Sequence, residues 1–232
     1  MRALLLVAGL WLAAALPSGA PAPDEPAIGR FLVANRQVGG FFGETVIVLV
    51  DHGAHGSLGL IVNRPAPLTL DELLPDVERA RGHGEHAWLG GPVAPGQLLL
   101  LIRAKQPPRG SAFVLEGLHV SGSRDTLVEL LGGPGAGVAF RAYLGYAGWA
   151  PGQLASEIAR GDWTVAPGDA ASVFAPDPAG LWEELLRRHQ QIRVRVPLLA
   201  GPLKSITLSA PWRSAAASSA FPTSGRARSS TR

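Results

Sequence analysis

The 232-residue chain contains no cysteine, one methionine, two tyrosines and only two lysines, Lys105 and Lys204. Without cysteine there is no disulfide framework, no thiolate nucleophile, no cysteine-ligated metal and no lipoprotein anchor. Neither lysine follows a glycine in a phosphate-loop pattern, so a Gly-Lys cradle for nucleotide phosphates is excluded. A GxSxG nucleophile elbow is missing. No GxGxxG runs from a strand into a helix, and the glycine-rich stretch from Gly132 to Gly137 follows a helix, where it reads as a C-terminal stop and turn. No helix-turn-helix pattern stands out. The longest uncharged apolar stretch, Ala3 to Leu16, falls short of the roughly 20 residues a membrane-spanning helix needs.

What is present is a large apolar fraction, 47% against 17% charged residues, enough to build a core. The 29 glycines and 20 prolines imply many turns between short elements. Charge is unevenly placed. Up to Gln191 the chain carries fourteen basic and eighteen acidic side chains, a net of −4, whereas Ile192 to Arg232 carries seven basic residues and no acidic one. That last stretch is low in complexity, with Ser214–Ser219 and Gly225–Ser230 rich in Ala, Ser and Arg, and reads as a basic, disordered tail. Such a tail binds nucleic acid or an anionic surface through charge alone, or is simply an unstructured extension. At the other end, Met1-Arg2, the apolar run and Pro17-Ser18-Gly19-Ala20 have the layout of a signal sequence over residues 1–22. A proline-rich linker, residues 23–28, leads to a domain over residues 29–191. The expected location is therefore the periplasm or the outside of the cell, the alternative being a cytosolic protein with a misplaced start. No transmembrane span remains once the signal is removed.

Within the domain, strands are expected near Phe31–Ala34, Thr45–Val50, Gly59–Asn63, Ala87–Leu89, Leu98–Arg103, Ala112–Leu115, Leu118–Val120 and Val138–Leu144. Gly53-Ala54-His55-Gly56 reads as a hairpin connection. A short helix starts at Thr69, where Thr69-Leu70-Asp71-Glu72 has capping-box spacing. A second covers Arg124–Leu131 with Ser123 as its N-cap, a third follows Pro151, and a fourth runs from Ala179 to Gln190. Strands outnumber helices and do not alternate with them, which argues for an α+β fold.

The run from Leu144 to Leu154, LGYAGWAPGQL, is the most distinctive segment. It reads as a strand, a tight corner permitted by Gly145 and Gly148, and a helix with Pro151 in its first turn. Tyr146 and Trp149 fall at the corner. They either plug the core beneath it or form one wall of a ligand or partner site. Among polar groups, Ser123-Arg124-Asp125 sits at a helix start suited to an anion, with Arg124 able to grip a carboxylate or phosphate. The same three residues also make a plain helix terminus: a cap, a first-turn acid and a surface arginine. Asn63, at a strand end before Pro65, is a ligand candidate or a turn stabiliser. His52 with His55 and His83 with His86 repeat H-x-x-H spacing, but neither pair lies on a helix or has a third carboxylate ligand set, so no metal site and no cofactor is expected.

These segments, together with Gly29–Ala34, Phe41–Ile47, Gly59–Pro65, Leu89–Val93 and Ser121–Asp125, resemble the YqgE/AlgH family of bacterial proteins from about Gly29 to Gln190. The resemblance implies a compact α/β arrangement, a bent mixed or antiparallel sheet or a small barrel surrounded by about four helices. It implies no reaction, and some family members carry the label of transcriptional regulator. Three functions are consistent with the residues. The first is a non-enzymatic binding or regulatory interaction module with a protein partner. The second is a small anionic ligand binder or enzyme using Ser123, Arg124 and Asp125. The third is a DNA-associated regulator, disfavoured by the acidic domain.

Overall fold

The computed structural model describes residues 24–133 and 135–195. The expected signal sequence (1–22) lies outside the described residues, as does the stretch from 196 to 232 of the expected tail. In the described residues ten strands form one bent sheet: β1 (Phe31–Ala34), β2 (Val46–Gly53), β3 (Gly56–Ile61), β4 (Pro65–Thr69), β5 (His86–Leu89), β6 (Val93–Arg103), β7 (Ala112–Leu115), β8 (Leu118–Ser121), β9 (Ala139–Trp149) and β10 (Trp163–Ala166). Five helices join them: α1 (Leu70–Leu73), α2 (Arg124–Leu131), α3 (Gln153–Arg160), α4 (Ala170–Val173) and α5 (Leu181–Arg195). The fold is α+β, with an open, mostly antiparallel sheet rather than a closed barrel. Its strand order is β10-β1-β2-β3-β9-β6-β8-β7, and β4 and β5 branch off β9. The β5–β9 pair is parallel, so the sheet is mixed.

Where the central strands are buried on both faces they read as continuous apolar runs: all of β1, Val46–Val50 of β2 and Leu99–Ile102 of β6. Phe31, Val33, Val46, Val48, Leu99 and Leu101 face one core, which α4 and α5 close with Val173, Leu181, Trp182 and Leu185. On the opposite face lie two separate cores. Leu100, Ile102 and Ala142 pack with Leu70 of α1 and Leu127, Leu130 and Leu131 of α2. Leu32, Ile47, Leu49 and Ile61 pack with Trp149, Trp163 and Leu154 of α3.

Strand β9 connects all three cores. Its first half pairs with β6, from Ala139 opposite Arg103 to Leu144 opposite Leu98. Its last three residues pair with β3, Ala147 opposite Gly59 through Trp149 opposite Ser57. The expected corner is a kink inside this continuous strand. Gly145 has φ +63°, and a Cβ there would stand 2.5 Å from the Gly91 carbonyl oxygen and 2.7 Å from that of Val93. Gly91 is the reciprocal contact: its Cβ would meet the Tyr146 carbonyl carbon at 2.1 Å. Two backbones therefore touch at a place where no side chain fits. The kink also slips the alternation of β9 by one residue. Tyr143 and Tyr146, three residues apart, both face the α4/α5 core, and Trp149 faces the α3 core.

Three further expectations are corrected. Gly148 has no positive φ, so Gly145 alone carries the bend. Pro151 does not begin α3: Gly152 intervenes as an N-cap in the left-handed region at φ +76°, and the helix starts at Gln153. The last helix ends at Arg195 instead of Gln190. The N-terminal caps follow the sequence closely. Thr69 and Glu72 form the reciprocal capping box, and Ser123 Oγ accepts from the Thr126 amide.

Candidate functional site

Tyr146 and Trp149 sit on opposite faces of β9 and have different surroundings. Trp149 is buried and packs edge-to-face on Trp163, with centroids 6.0 Å apart. Phe42 also packs edge-to-face on Trp163, at 5.8 Å. Both indole N–H groups donate to a single carboxylate oxygen, Glu157 Oε2, each at 2.8 Å. Gln153 Nε2 donates to the other oxygen at 3.0 Å. Partial burial acts to raise the Glu157 pKa, but the hydrogen bonds from Trp163, Gln153 and Trp149, with the nearby Arg160 charge, outweigh it and hold the group below its ordinary value. This carboxylate is a structural acceptor with its donors in place, and it anchors α3 to the sheet.

Tyr146 is half-buried and borders a surface trough. One hollow of about 370 Å³ lies among Tyr146, Val93, Ser57, Leu58 and Asp51, with His55 at its rim. A second of about 490 Å³ continues from the shared Asp51 and Leu58 past Val50, Leu99 and Val120 to Gly122. No lining residue belongs to a helix. The trough thus exposes the end of the α4/α5 core face that no helix covers. Val93, 38% exposed, stands at its edge.

The polar candidates do not meet in one concavity. Ser123 is occupied as the α2 cap, its own amide donating to Ser121 Oγ at 3.1 Å. Arg124 and Asp125 are exposed, and neither lines the trough. Asn63 accepts from the Val46 amide and donates to the Glu44 carbonyl, both at 2.9 Å. Its neighbour Arg64 donates to the carbonyls of Phe41 (2.6 Å) and Gly43 (3.0 Å). Together they clamp the entry to β2, where Glu44 holds an uncommon φ of +57°. The histidines are engaged singly: His52 with Ser57 Oγ, His55 with Asp51, and His83 with Glu85 and the Leu131 carbonyl. Among the described residues no three His, Asp or Glu side chains are grouped as metal ligands.

Sequence reasoning missed Arg141. It lies mid-strand in β9 with its guanidinium 3.7 Å from the Trp88 ring centroid. It donates to the Val173 carbonyl and, at 2.9 Å, to the Ala175 carbonyl, pinning the end of α4 to the sheet. Burial lowers its pKa from the ordinary arginine value. Tyr143, on the same face, is fully buried, and its hydroxyl makes no hydrogen bond of regular geometry. Burial raises the Tyr143 pKa, opposed by the nearby Arg141 charge. The signal for Arg141 in the sequence is a lone charge inside the apolar run from Val138 to Leu144.

The molecule is thus an α+β protein of a kinked, open mixed sheet, with an apolar trough on one side of the kink and a partly buried cation on the other. The chain belongs to the AlgH-like family, whose model matches residues 31–193. A UPF0301 protein of Methylococcus capsulatus is 38% identical over 179 residues, covering 74% of this chain and 96% of that protein. One from Myxococcus xanthus is 41% identical over 149 residues, 63% of this chain and 81% of its own length. The solution structure of the AlgH protein from Pseudomonas aeruginosa superposes with a TM-score of 0.57 at 32% identity, over 70% of this chain and 86% of that one. A crystal structure of a Corynebacterium diphtheriae protein superposes with a TM-score of 0.59 at 26% identity, over 72% and 90%.

Proposed function

We propose that this protein is a non-enzymatic binding or regulatory interaction module, carried by residues 29–191, that engages a protein partner through the trough beside Tyr146. The carrying observation is the uncovered end of the core face, where Leu58, Val120 and Tyr146 stay half-buried beside the exposed Val93. Continuous apolar surface of this kind marks sites of association. Trp149 also lines the hollow beside Tyr146, but its indole N–H is taken by Glu157 and offers no free donor. The test is site-specific photo-crosslinking in the native cells from position 93, with Glu129, exposed on α2, as the control position. The expected result is a discrete adduct from position 93 that is lost with Tyr146→Lys. Equal adducts from both positions, or none, overturn the reading.

A DNA-associated role would rest on the seven basic residues from Ile192 onward, since the chain before them is net acidic. Sequence-specific binding by a chain shortened to residue 191 would displace the interaction reading. Export rests on the signal pattern of residues 1–22. An intact mass lacking those residues, measured on protein from its own cells, supports export, and a mass beginning at Met1 places the protein in the cytosol. Among the described residues no helix is long and apolar enough to cross a membrane.

A further inference from the structure

The geometry points to a second site, independent of the trough: the cleft between β5 and β9 binds a small monocarboxylate with an apolar body, its carboxylate held by Arg141. The cleft exists because β5 and β9 are in register only at Trp88–Tyr143 and Leu89–Leu144. Toward His86 on one strand and Phe140 on the other the two part, leaving about 340 Å³. That volume lies at the small end of ligand sites, about 300–1,000 Å³, and admits a ring with a short chain. The cleft and the trough share no lining residue.

Three observations specify the ligand. The first is an uncompensated charge. Arg141 makes no ion pair among the described residues; its acceptors are all neutral, the Val173 and Ala175 carbonyls and, less regularly, the Tyr143 hydroxyl. A guanidinium has five N–H donors, so donors remain for an acceptor in the cleft. Taking a cation out of water without an anion is costly, and a carboxylate in bidentate geometry offsets that cost. The second is the fully buried Tyr143 hydroxyl, which meets only Arg141 and makes no hydrogen bond of regular geometry among the described residues. Arg103 adds a further positive charge close enough to be felt at Arg141, over the Phe174 ring that Arg141 also flanks.

The third is the character of the walls. Trp88, Phe140, Pro176 and Pro178 present apolar surface, and the prolines fix the backbone of the rim. Glu85 and His86 stand at the mouth. The Glu85 charge disfavours a dianion such as inorganic phosphate and is tolerated by a single carboxylate directed at Arg141. The stack on Trp88 fixes the guanidinium plane, so the donors are oriented before a ligand arrives.

The probe is 3-phenylpropionate, titrated into the full chain and followed by calorimetry and by the Arg141 Nε–H and Trp88 Nε1–H resonances. The neutral 3-phenylpropionamide and inorganic phosphate are titrated in parallel. The acid is expected to bind and shift both resonances, with the amide weaker by about tenfold or more and phosphate without effect. Arg141→Gln should abolish binding. Because Arg141 also pins α4, two exposed substitutions decide the matter without touching that pin. His86→Glu should weaken the acid by about threefold or more, and Glu85→Gln should tighten it. Equal binding of acid and amide would make Arg141 a structural pin at an apolar hollow and overturn the proposal. So would phosphate binding as tightly as the acid, an unchanged affinity in both charge variants, or no binding at about 10 mM.

Discussion

Glu157 and Arg141 are the two partly buried charges tied into the β9 region, and their surroundings differ in kind. Glu157 receives two indole N–H groups and one amide, so its carboxylate is held by donors from β9, β10 and α3. Arg141 has an aromatic ring beneath it and two neutral carbonyls, and next to it a buried phenol that makes no hydrogen bond of regular geometry. The first centre is complete and fastens elements together. The second is satisfied only in part, and it faces a cleft. Polar groups within a fold that are all matched serve architecture, whereas a group left with spare donors in a cavity is available to a ligand. The aromatic corner that dominates the sequence is thus divided, Trp149 belonging to the structural centre and Tyr146 to the open trough.

The strongest way to break the comparison is to remove the kink that separates the two halves of β9. Gly145→Ala should destabilise the protein by about 3 kcal/mol or more, since it adds left-handed strain to a backbone clash. A thermal midpoint within a degree of wild type would show that the kink is not held by that contact. Next in size, Glu157→Leu strands two buried indole donors and should cost about 2–3 kcal/mol in urea denaturation at neutral pH. The native Glu157 pKa lies below its ordinary 4.5, so its contribution is present above that value and fades as the pH falls through the lower native one. The stability gap between wild type and Glu157→Leu should therefore be full at pH 7 and narrow in acid. A gap independent of pH would mean that lost packing, not the carboxylate, carries the effect. The smallest effect sharpens the other side: Tyr143→Phe removes a buried hydroxyl that meets only Arg141, without regular hydrogen-bond geometry, and should stabilise the ligand-free protein by about 1 kcal/mol or less. A loss of stability would show that the hydroxyl is satisfied in solution.

The parts of the fold legible in the sequence are those governed by neighbours within a few residues. Ser123 and Thr69 were readable as helix starts because a cap acts on amides two or three residues ahead. The hairpin at Gly53–Gly56 was readable for the same reason, and its end glycines face each other across β2 and β3. Strand β4 was hidden by Pro65 and Pro67, which suggest a loop; it exists because it pairs only with β5, where an edge tolerates missing donors. Strand β10 was not read from the sequence; antiparallel pairing with β1, more than a hundred residues earlier, creates it. Helix α4 is only four residues long, and its cap is the Asp169 side chain accepting from Ser172.

The sequence by itself determined the α+β class, the family, the bend at Gly145 and most of the strands, because apolar alternation, capping residues and glycine requirements are written locally. Only the tertiary structure decided what the polar and aromatic residues do. Ser123 and Asn63 became backbone clamps because strand ends and helix starts lay within reach of their side chains. Trp149 became a hydrogen-bond donor because β10 and α3 brought Trp163 and Glu157 to it. Arg141 became a charge without an anion because the parting of β5 from β9 opened a cleft beside it. A side chain's chemistry is fixed by its type, but its partners are set by segments distant in the chain, and those meet only once the sheet has formed.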